Sequence, residues 1–256
     1  MDLHHRLDGP ADAPPLVLSN SLGTSFEMWE EQLRALAGRF RVLRYDQRGH
    51  GRSPAPPGPY TVADLAGDVL ELLDRLNLER VSFCGTSLGG MSGMWMAINA
   101  PQRVDRLALC CTSAHLGPRE MWAERAATVR AEGMEAIADA QLERWFTPEF
   151  RESGSEAVER TRRGLLAASP EGYASCCEAV AELDLRAQLG SIRTPTLVIA
   201  ADDDPATPPE HGRQVADSID GARSVLVERA RHLAVVERPE PVARSLLEHL
   251  QAEART

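Results

Sequence analysis

The stretch Gly85-Thr86-Ser87-Leu88-Gly89 places a serine between two glycines, directly after the apolar run VSFCG and before a helical pattern. This spacing is typical of a nucleophile elbow, a tight strand-to-helix turn that exposes a serine hydroxyl. The glycines leave room for the crossing chain, and the N-terminus of the helix favours developing negative charge. We therefore predict that Ser87 is a nucleophile that attacks a carbonyl carbon.

A serine hydroxyl needs a base to accept its proton, and the base needs a carboxylate to orient it. In chains with this kind of elbow, the order is serine, acid, histidine. Of the seven histidines, His232 lies in RARHLAVVE, the loop after the last apolar run, where such a base is expected. His232 is therefore the predicted general base.

Other histidines lead to different expectations. His50, in DQRGHGRS, precedes the nucleophile and is expected to brace a Gly-flanked loop. His211 and His249 lie in helical patterns and are expected near the surface. His115 falls at a strand end, from which it could line the pocket.

The acid is chosen from three consecutive aspartates in VIAADDDPATPPE. Asp204 begins the turn DPATPP, and the proline after it favours an extended or turn geometry. We predict Asp204 as the orienting acid, with Asp202 as the second candidate. Asp202 and Asp203 are more simply explained as solvated turn residues.

The stretch SNSLGT, after the apolar run PPLVLS, has a candidate role in the same chemistry. A tetrahedral intermediate carries an oxyanion, which two backbone amides stabilise. One amide belongs to the residue after the nucleophile, Leu88, and the other to the loop after the first buried strand, where we predict the N–H of Leu22. The alternative interpretation of SNSLGT is a plain polar turn.

Six short apolar runs predict a mostly parallel sheet, because nearly continuous apolar character suits strands that are covered on both faces. The runs are PLVLS, FRVLRY, VSFCG, RLALCC, TPTLVIA and RSVLVE. Helical patterns lie between them, among them TVADLAGDVLELLDRLN with Thr61 and Asp64 as a capping pair. This alternation predicts an α/β fold with helices on both faces of the sheet.

Residues 115–190 interrupt the alternation, because they contain four helical patterns and no convincing strand. We predict that they form a helical lid subdomain over the carboxyl ends of the strands, where sheets of this kind bind ligands. Residues 1–114 and 191–256 would then form the core domain.

Composition narrows the classes of function. The 256 residues are 43% hydrophobic, which suffices for a full core, and the formal charge of −10 argues against a nucleic acid or an anionic membrane as partner. The chain has no apolar run of membrane-spanning length and no signal-peptide core, so a cytoplasmic protein is expected.

Five cysteines without CxxC spacing indicate reduced thiols rather than a disulfide framework or a metal site. The sequence leaves both a monomer and a homo-oligomer open.

The motifs together resemble the α/β-hydrolases and, more narrowly, the 3-oxoadipate enol-lactonases of aromatic-compound catabolism. The broad resemblance is carried by YDQRGHGRS, CGTSLGGM, DPATPP and RHLAVVERPE, and the narrow one by LVLSNSLGTSFEMW, GMWMAINAPQRV, ERWFTPEF and EGYASCCEA. It implies an α/β-hydrolase fold and hydrolysis of 3-oxoadipate enol-lactone to 3-oxoadipate in protocatechuate and catechol catabolism, with no metal or organic cofactor. One departure is ADD after the penultimate strand, where related chains have a glycine and fewer acids.

The implied substrate is a small anionic lactone, so this acidic protein needs a local positive charge to bind it. The predicted substrate-binding residues are Arg144, Trp145 and Trp122, although Trp145 also belongs to an apolar stripe typical of a core. The choice among the lid arginines stays open, and the candidates are Arg119, Arg125, Arg144, Arg162 and Arg163.

Two other classes of function stay open. A carboxylesterase or a cofactor-free haloperoxidase (perhydrolase) of the same fold would use the same residues, because fold alone does not fix the substrate. A non-catalytic binding or sensor protein would keep the pocket without turnover.

Overall fold

The computed structural model describes residues 1–252 of the chain. Its seven strands are β1 (His5–Asp8), β2 (Pro15–Ser19), β3 (Arg41–Tyr45), β4 (Val81–Thr86), β5 (Val104–Cys110), β6 (Thr196–Ala201) and β7 (Arg223–Val227). They form one sheet in the order β1-β3-β2-β4-β5-β6-β7. β1 pairs antiparallel with β3, and every other neighbouring pair is parallel.

Helices connect the strands. They are α1 (Glu30–Leu36), α2 (Val62–Arg75), α3 (Leu88–Asn99), α4 (Arg119–Glu132), α5 (Glu135–Trp145), α6 (Pro148–Glu152), α7 (Glu156–Leu166), α8 (Pro170–Glu182), α9 (Pro209–Ser218), α10 (Ala234–Glu237) and α11 (Pro239–Leu250). α3 packs against β4 and β5 with α2 beside it, and α11 packs against β5 to β7 with α1 beside it. Within residues 1–252, no helix is long and apolar enough to cross a bilayer.

The predicted α/β fold is confirmed. All six apolar runs form strands, β2 to β7, with ends that shift by at most two residues. The Thr61–Asp64 pair caps α2 as expected, because the Thr61 hydroxyl accepts from the Asp64 amide and the Asp64 carboxylate accepts from the Thr61 amide. β1 was not predicted, since HRLD has a single apolar residue and lies at the sheet edge, where half-exposed polar side chains are tolerated.

Helices α4 to α8 lie between β5 and β6, in the interval for which a lid is predicted. Four of them match the predicted helical patterns, and α6 is an additional short helix. α4 packs along α8. At the base of this interval, His115 and Asp184 form an isolated bridge, and the Leu185 amide donates to the Ala114 carbonyl at 2.9 Å. The division into core and lid stays a prediction.

His249 is buried, so its expected surface position is wrong. Val242, Leu246 and His249 recur at helical spacing on the inward face of α11, and His249 is only 4% exposed. Burial, together with the positive charge of Arg106, lowers the pKa of His249 to about 4. The folded state therefore holds this imidazole neutral at pH values where the unfolded chain would protonate it.

Acidification should destabilise the protein through His249. Because the folded pKa is depressed below the usual 6.5, stability falls as pH drops from 6.5 towards 4. Between pH 7 and pH 5 the wild type should lose about 2 kcal/mol more unfolding free energy than His249→Gln, which does not titrate. Urea unfolding at the two pH values measures this difference, and equal losses in both proteins would contradict the assignment.

Candidate active site

Ser87 occupies the junction between β4 and α3 with φ 54° and ψ −116°, a left-handed conformation that is rare for a residue with a side chain. Contacts from the end of β5 hold this backbone in place. The Ser87 amide donates to the Cys110 carbonyl at 3.0 Å, and the Ser87 carbonyl accepts from the Thr112 hydroxyl at 2.7 Å. The turn is therefore anchored from a neighbouring strand as well as from its own helix.

The two glycines of the elbow are required by close packing. A Cβ on Gly85 would lie 2.3 Å from backbone atoms of Gly89, and a Cβ on Gly89 would lie 2.3 Å from the Ser19 carbonyl oxygen. Both distances are far below van der Waals contact. The sequence expectation that these glycines make room for the crossing chain therefore agrees with the packing.

The loop that begins with Asn20 is fixed from several sides. The Asn20 side chain donates to the Tyr45 carbonyl at 2.7 Å and accepts from the Trp29 indole N–H at 2.9 Å. The Asn20 carbonyl accepts from the Gly89 amide at 3.0 Å. This last bond ties the loop to the N-terminus of α3, so SNSLGT is more than a solvent-exposed polar turn.

The two predicted oxyanion donors lie on either side of that tie. Leu88 is the first residue of α3, so its amide has no intrahelical acceptor. Leu22 follows the tied residues and lines the cavity in front of Ser87. Among the hydrogen bonds of residues 1–252, neither amide donates to a protein acceptor. Both N–H groups are therefore available to a ligand oxygen.

Asp204 and His232 form a buried pair. The Nδ1 atom of His232 lies 2.9 Å from the Asp204 carboxylate, and the two residues are each 3% exposed. The same carboxylate accepts from the Thr207 hydroxyl at 2.7 Å and from the amides of Ala206 and Thr207 at 2.8 and 3.0 Å. Thr207 was not predicted, although a hydroxyl residue three positions after an aspartate in a turn is a recognisable signal.

The surroundings of Asp204 favour its charged form. Burial by itself would raise the pKa of this carboxyl, but the attraction of His232 and the hydrogen bonds from His232 and Thr207 lower it below its usual value. Asp202 instead accepts from the Ala230 amide at 3.2 Å, and Asp203 pairs with Arg231 at 2.8 Å. Both are exposed, so Asp204 is the aspartate that contacts the imidazole.

Ser87 and His232 line the same cavity, whose volume is about 250 Å³. Their side chains form no direct hydrogen bond in the described part of the chain, residues 1–252, and catalytic hydrogen bonds of this kind often shorten only when substrate binds. The cavity also contains the other predicted contacts, Leu22, Trp122 and Trp145. A site of this size suits a small molecule.

The cavity has two half-buried arginines. Arg144 and Arg125 both line it, and the Arg125 guanidinium lies 4.6 Å from the centre of the Trp122 ring. Within residues 1–252 neither forms an ion pair. Burial and the nearby charge of Arg125 lower the pKa of Arg144. A pair of cations without protein counter-ions favours an anionic ligand.

The remaining arginine candidates lie elsewhere. Arg119 pairs with Glu182, and Arg162 pairs with Glu135 at 3.4 Å. Arg163 lines a different surface depression, next to His4 and Asp46. Arg144, the predicted residue, and Arg125 are thus the two that the structure brings to the cavity.

Loop folding determines the positions of two other histidines. His211 is half-buried and lines the cavity, because α9 begins just after the Asp204 turn and directs its first residues towards the site. Its Nδ1 lies 2.9 Å from the Ser113 hydroxyl. His115 is absent from the cavity lining among the described residues, and its Nδ1 lies 3.0 Å from the Leu183 carbonyl oxygen instead. Both positions depend on how the loops fold, and the helical periodicity of the sequence contains no information about loop folding.

Residues 14–239 match the model of the α/β-hydrolase fold family. With the fold and site described above, the chain belongs to that family. It is 42% identical over 238 residues to 3-oxoadipate enol-lactonase 2 of Acinetobacter baylyi, covering 93% of this chain and 89% of the relative. The enol-lactonase structure from Burkholderia xenovorans LB400 matches with a TM-score of 0.95 at 45% identity, covering 98% and 96% of the two chains. A provisionally assigned carbamate hydrolase, RutD of Stutzerimonas stutzeri, is 34% identical and covers 97% of this chain and 95% of the relative.

Replacement of the buried acid should distinguish the two candidate aspartates. Asp204→Asn keeps the shape but removes the charge that orients and stabilises the imidazole, so kcat should fall about 10³–10⁴-fold. Asp202→Asn is the matched control, since Asp202 is exposed and its carboxylate accepts a hydrogen bond from the Ala230 backbone amide, and it should stay within about threefold of wild type. Steady-state hydrolysis of a p-nitrophenyl ester measures both, and the opposite ranking would assign the acid to Asp202.

Proposed function

We propose that the protein hydrolyses a lactone or ester through a covalent acyl-enzyme, with Ser87 as nucleophile, His232 as general base and Asp204 as orienting acid. The amides of Leu22 and Leu88 are the proposed donors to the oxyanion. The observation that carries the proposal is the shared cavity: it brings together a serine on a strained strand-to-helix turn and an imidazole held by a buried carboxylate. In this arrangement Ser87 supplies the nucleophile, and His232 can accept its proton.

The steps balance without a cofactor. His232 accepts the Ser87 proton while Oγ bonds to the lactone carbonyl carbon, and the two amides stabilise the resulting oxyanion. The ring C–O bond then breaks, and the leaving enol oxygen receives the proton from His232. Tautomerisation of this enol to a ketone makes ring opening effectively irreversible. Water, deprotonated by His232, then attacks the acyl carbon, the bond to Ser87 Oγ breaks, and His232 returns its proton to Oγ as the carboxylic acid leaves.

The substrate we propose is 3-oxoadipate enol-lactone, converted to 3-oxoadipate (β-ketoadipate) in protocatechuate and catechol catabolism. The relative named 3-oxoadipate enol-lactonase 2 and the structure named an enol-lactonase each match most of the chain, as described above. The lactone also bears a carboxylate, and Arg144 and Arg125 line the cavity that holds Ser87 without an ion pair to any described residue. We assign the carboxylate to these two guanidinium groups, because bidentate contact with a carboxylate suits arginine.

The helices between β5 and β6 form the lid in this proposal. They supply Arg125, Arg144, Trp122 and Trp145 to the cavity, whereas the sheet and its loops supply the catalytic residues. We propose that residues 115–190 form the lid subdomain and that residues 1–114 and 191–256 together form the core domain.

Because all five cysteines are free and buried, we also propose a reducing compartment, the cytoplasm.

The rival functions remain testable against this proposal. A carboxylesterase or perhydrolase would not need the two unpaired cations, and a carbamate hydrolase, as in the RutD relative, would act on a different carbonyl group. A non-catalytic binding protein would show no turnover at all. Assay of the enol-lactone beside neutral p-nitrophenyl esters separates these classes, and strong preference for the neutral esters would reject the lactonase.

Loss of the nucleophile should abolish turnover. Ser87→Ala should lower kcat for the enol-lactone about 10⁴-fold or more, because no acyl-enzyme can form. Ser191→Ala changes an exposed serine and should leave kcat unchanged. Spectrophotometric loss of the lactone measures both variants, and equal rates for Ser87→Ala and wild type would remove Ser87 from the mechanism.

Neutralising Arg144 should affect the anionic substrate selectively. Arg144→Gln should raise KM for the enol-lactone about 10-fold to 100-fold, the range expected for a lost charge-assisted hydrogen bond, while KM for neutral p-nitrophenyl acetate should stay within about twofold. Arg162→Gln is the control, because Arg162 is paired with Glu135 outside the cavity. An equal effect of Arg144→Gln on both substrates would mean that the guanidinium does not bind the carboxylate.

A further inference from the structure

His50 contacts the loop of the proposed oxyanion site without lining the cavity itself. It is 1% exposed and follows β3. Its Nε2 atom accepts a hydrogen bond from the Gly23 amide at 2.9 Å, and its Nδ1 lies 3.1 Å from the Arg48 carbonyl oxygen. Because Nε2 is an acceptor, the imidazole is neutral and the proton is on Nδ1, which donates to Arg48.

The surroundings of the ring support the neutral form. Burial lowers the pKa of His50, only partly opposed by the Arg48 carbonyl and the charge of Asp46. The Tyr173 ring from α8 lies 6.3 Å away, centre to centre. A protonated imidazole would have no lone pair for the Gly23 amide, so the contact depends on this charge state.

Two peptide groups set the direction of the Leu22 N–H. The Ser21 carbonyl accepts from the Thr24 hydroxyl at 2.8 Å and from the Thr24 amide at 3.2 Å. In a trans peptide the C=O and the next N–H point in opposite directions, so this bond directs the Leu22 N–H away from Thr24. The following peptide is held in turn by the bond from Gly23 to His50, which prevents its rotation.

The packing around Gly23 does not replace its hydrogen bond to His50. It adopts φ +81°, a left-handed conformation that glycine reaches without steric cost. A Cβ at this position would lie 2.8 Å from Leu165 and 3.0 Å from Tyr173, so the residue is enclosed by side chains of α7 and α8. Contacts with the carbon atoms of Leu165 and Tyr173 fill the space around Gly23 but do not fix the plane of its peptide group. The hydrogen bond from the Gly23 amide to His50 does fix that plane.

The loop that contains Gly49 and His50 is joined to the start of α8, a helix of the proposed lid. The Ser169 amide donates to the Gly49 carbonyl at 3.0 Å. Gly49 and Gly172 touch, since a Cβ on either would lie within 2.5 Å of the other's Cα. His50 therefore sits between α8 and the oxyanion loop in a rigidly packed segment.

We propose that His50 is a positioning residue that, as a neutral acceptor for the Gly23 amide, holds the Leu22 N–H in place for the oxyanion. The inference rests on the proposed function, in which Ser87 forms a tetrahedral intermediate. Its effect is on the transition state and the tetrahedral intermediate, because the oxyanion is absent from the bound ester, and binding of the intact ester should be little affected.

Two amide variants test the proposal as a matched pair. His50→Gln places an oxygen near the position of Nε2, whereas His50→Asn is shorter by one methylene and places it near Nδ1, out of reach of Gly23. With p-nitrophenyl acetate, kcat of His50→Gln should stay within about threefold of wild type, and kcat of His50→Asn should fall about 10-fold to 100-fold at nearly constant KM. Inhibition by phenylboronic acid, which forms a tetrahedral adduct with serine, should weaken in parallel for His50→Asn alone.

Several outcomes would overturn the proposal. Equal kcat for the two amide variants, or a loss confined to KM, would show that the acceptor position does not matter. ¹⁵N NMR of the wild-type protein is independent of variant folding, and a His50 ring protonated on Nε2 would also reject it. Ser87→Ala separates this failure from that of the proposed function: if Ser87→Ala is inactive while His50→Asn resembles wild type, only the role of His50 fails.

Discussion

The backbone of Ser87 is held in a conformation that costs a residue with a side chain about 1–3 kcal/mol, and the surrounding packing offsets this cost. The end of β5 binds its amide and carbonyl, and two glycines allow three chain segments to approach each other below ordinary Cβ contact distance. These contacts fix the backbone of Ser87 and the start of α3, including the Leu88 amide, before any ligand binds. The loop of Leu22 joins this unit through the bond between Asn20 and Gly89.

Charge is distributed unevenly around this unit. The protein carries a formal charge of −10, yet two guanidinium groups line the cavity, and neither forms an ion pair within residues 1–252. The Asp204 carboxylate lies next to the cavity and accepts hydrogen bonds from Thr207 and His232. The arginines attract an anion at short range, where screening by water is weaker, whereas Asp204 keeps its negative charge outside the cavity lining of the described residues. An acidic surface is therefore compatible with the proposed binding of an anion, because the two sets of charges act over different distances.

The sequence was sufficient for the fold because buried parallel strands and amphipathic helices leave strong local patterns, as in PLVLS and the helix capped by Thr61. It also indicated the positions of Ser87, Asp204 and His232, since each follows a strand in a known order. Thr207 was missed although its spacing from Asp204 is a recognisable signal, whereas the cavity position of His211 could not be predicted, because it depends on the direction of α9. The choice of Arg144 and Arg125 over Arg119 likewise depended on ion pairs that form only in three dimensions.

The contact between Gly49 and Gly172 has a consequence for engineering this molecule. Exchange of helices α4 to α8 among homologous scaffolds is an obvious route to altered selectivity. Any bulkier amino acid in place of Gly172, however, would collide with the backbone of Gly49. Chimeras that retain glycine there should keep the turn of Gly49 in place, whereas those that lack it would have to move this turn, even with every residue of the cavity lining unchanged.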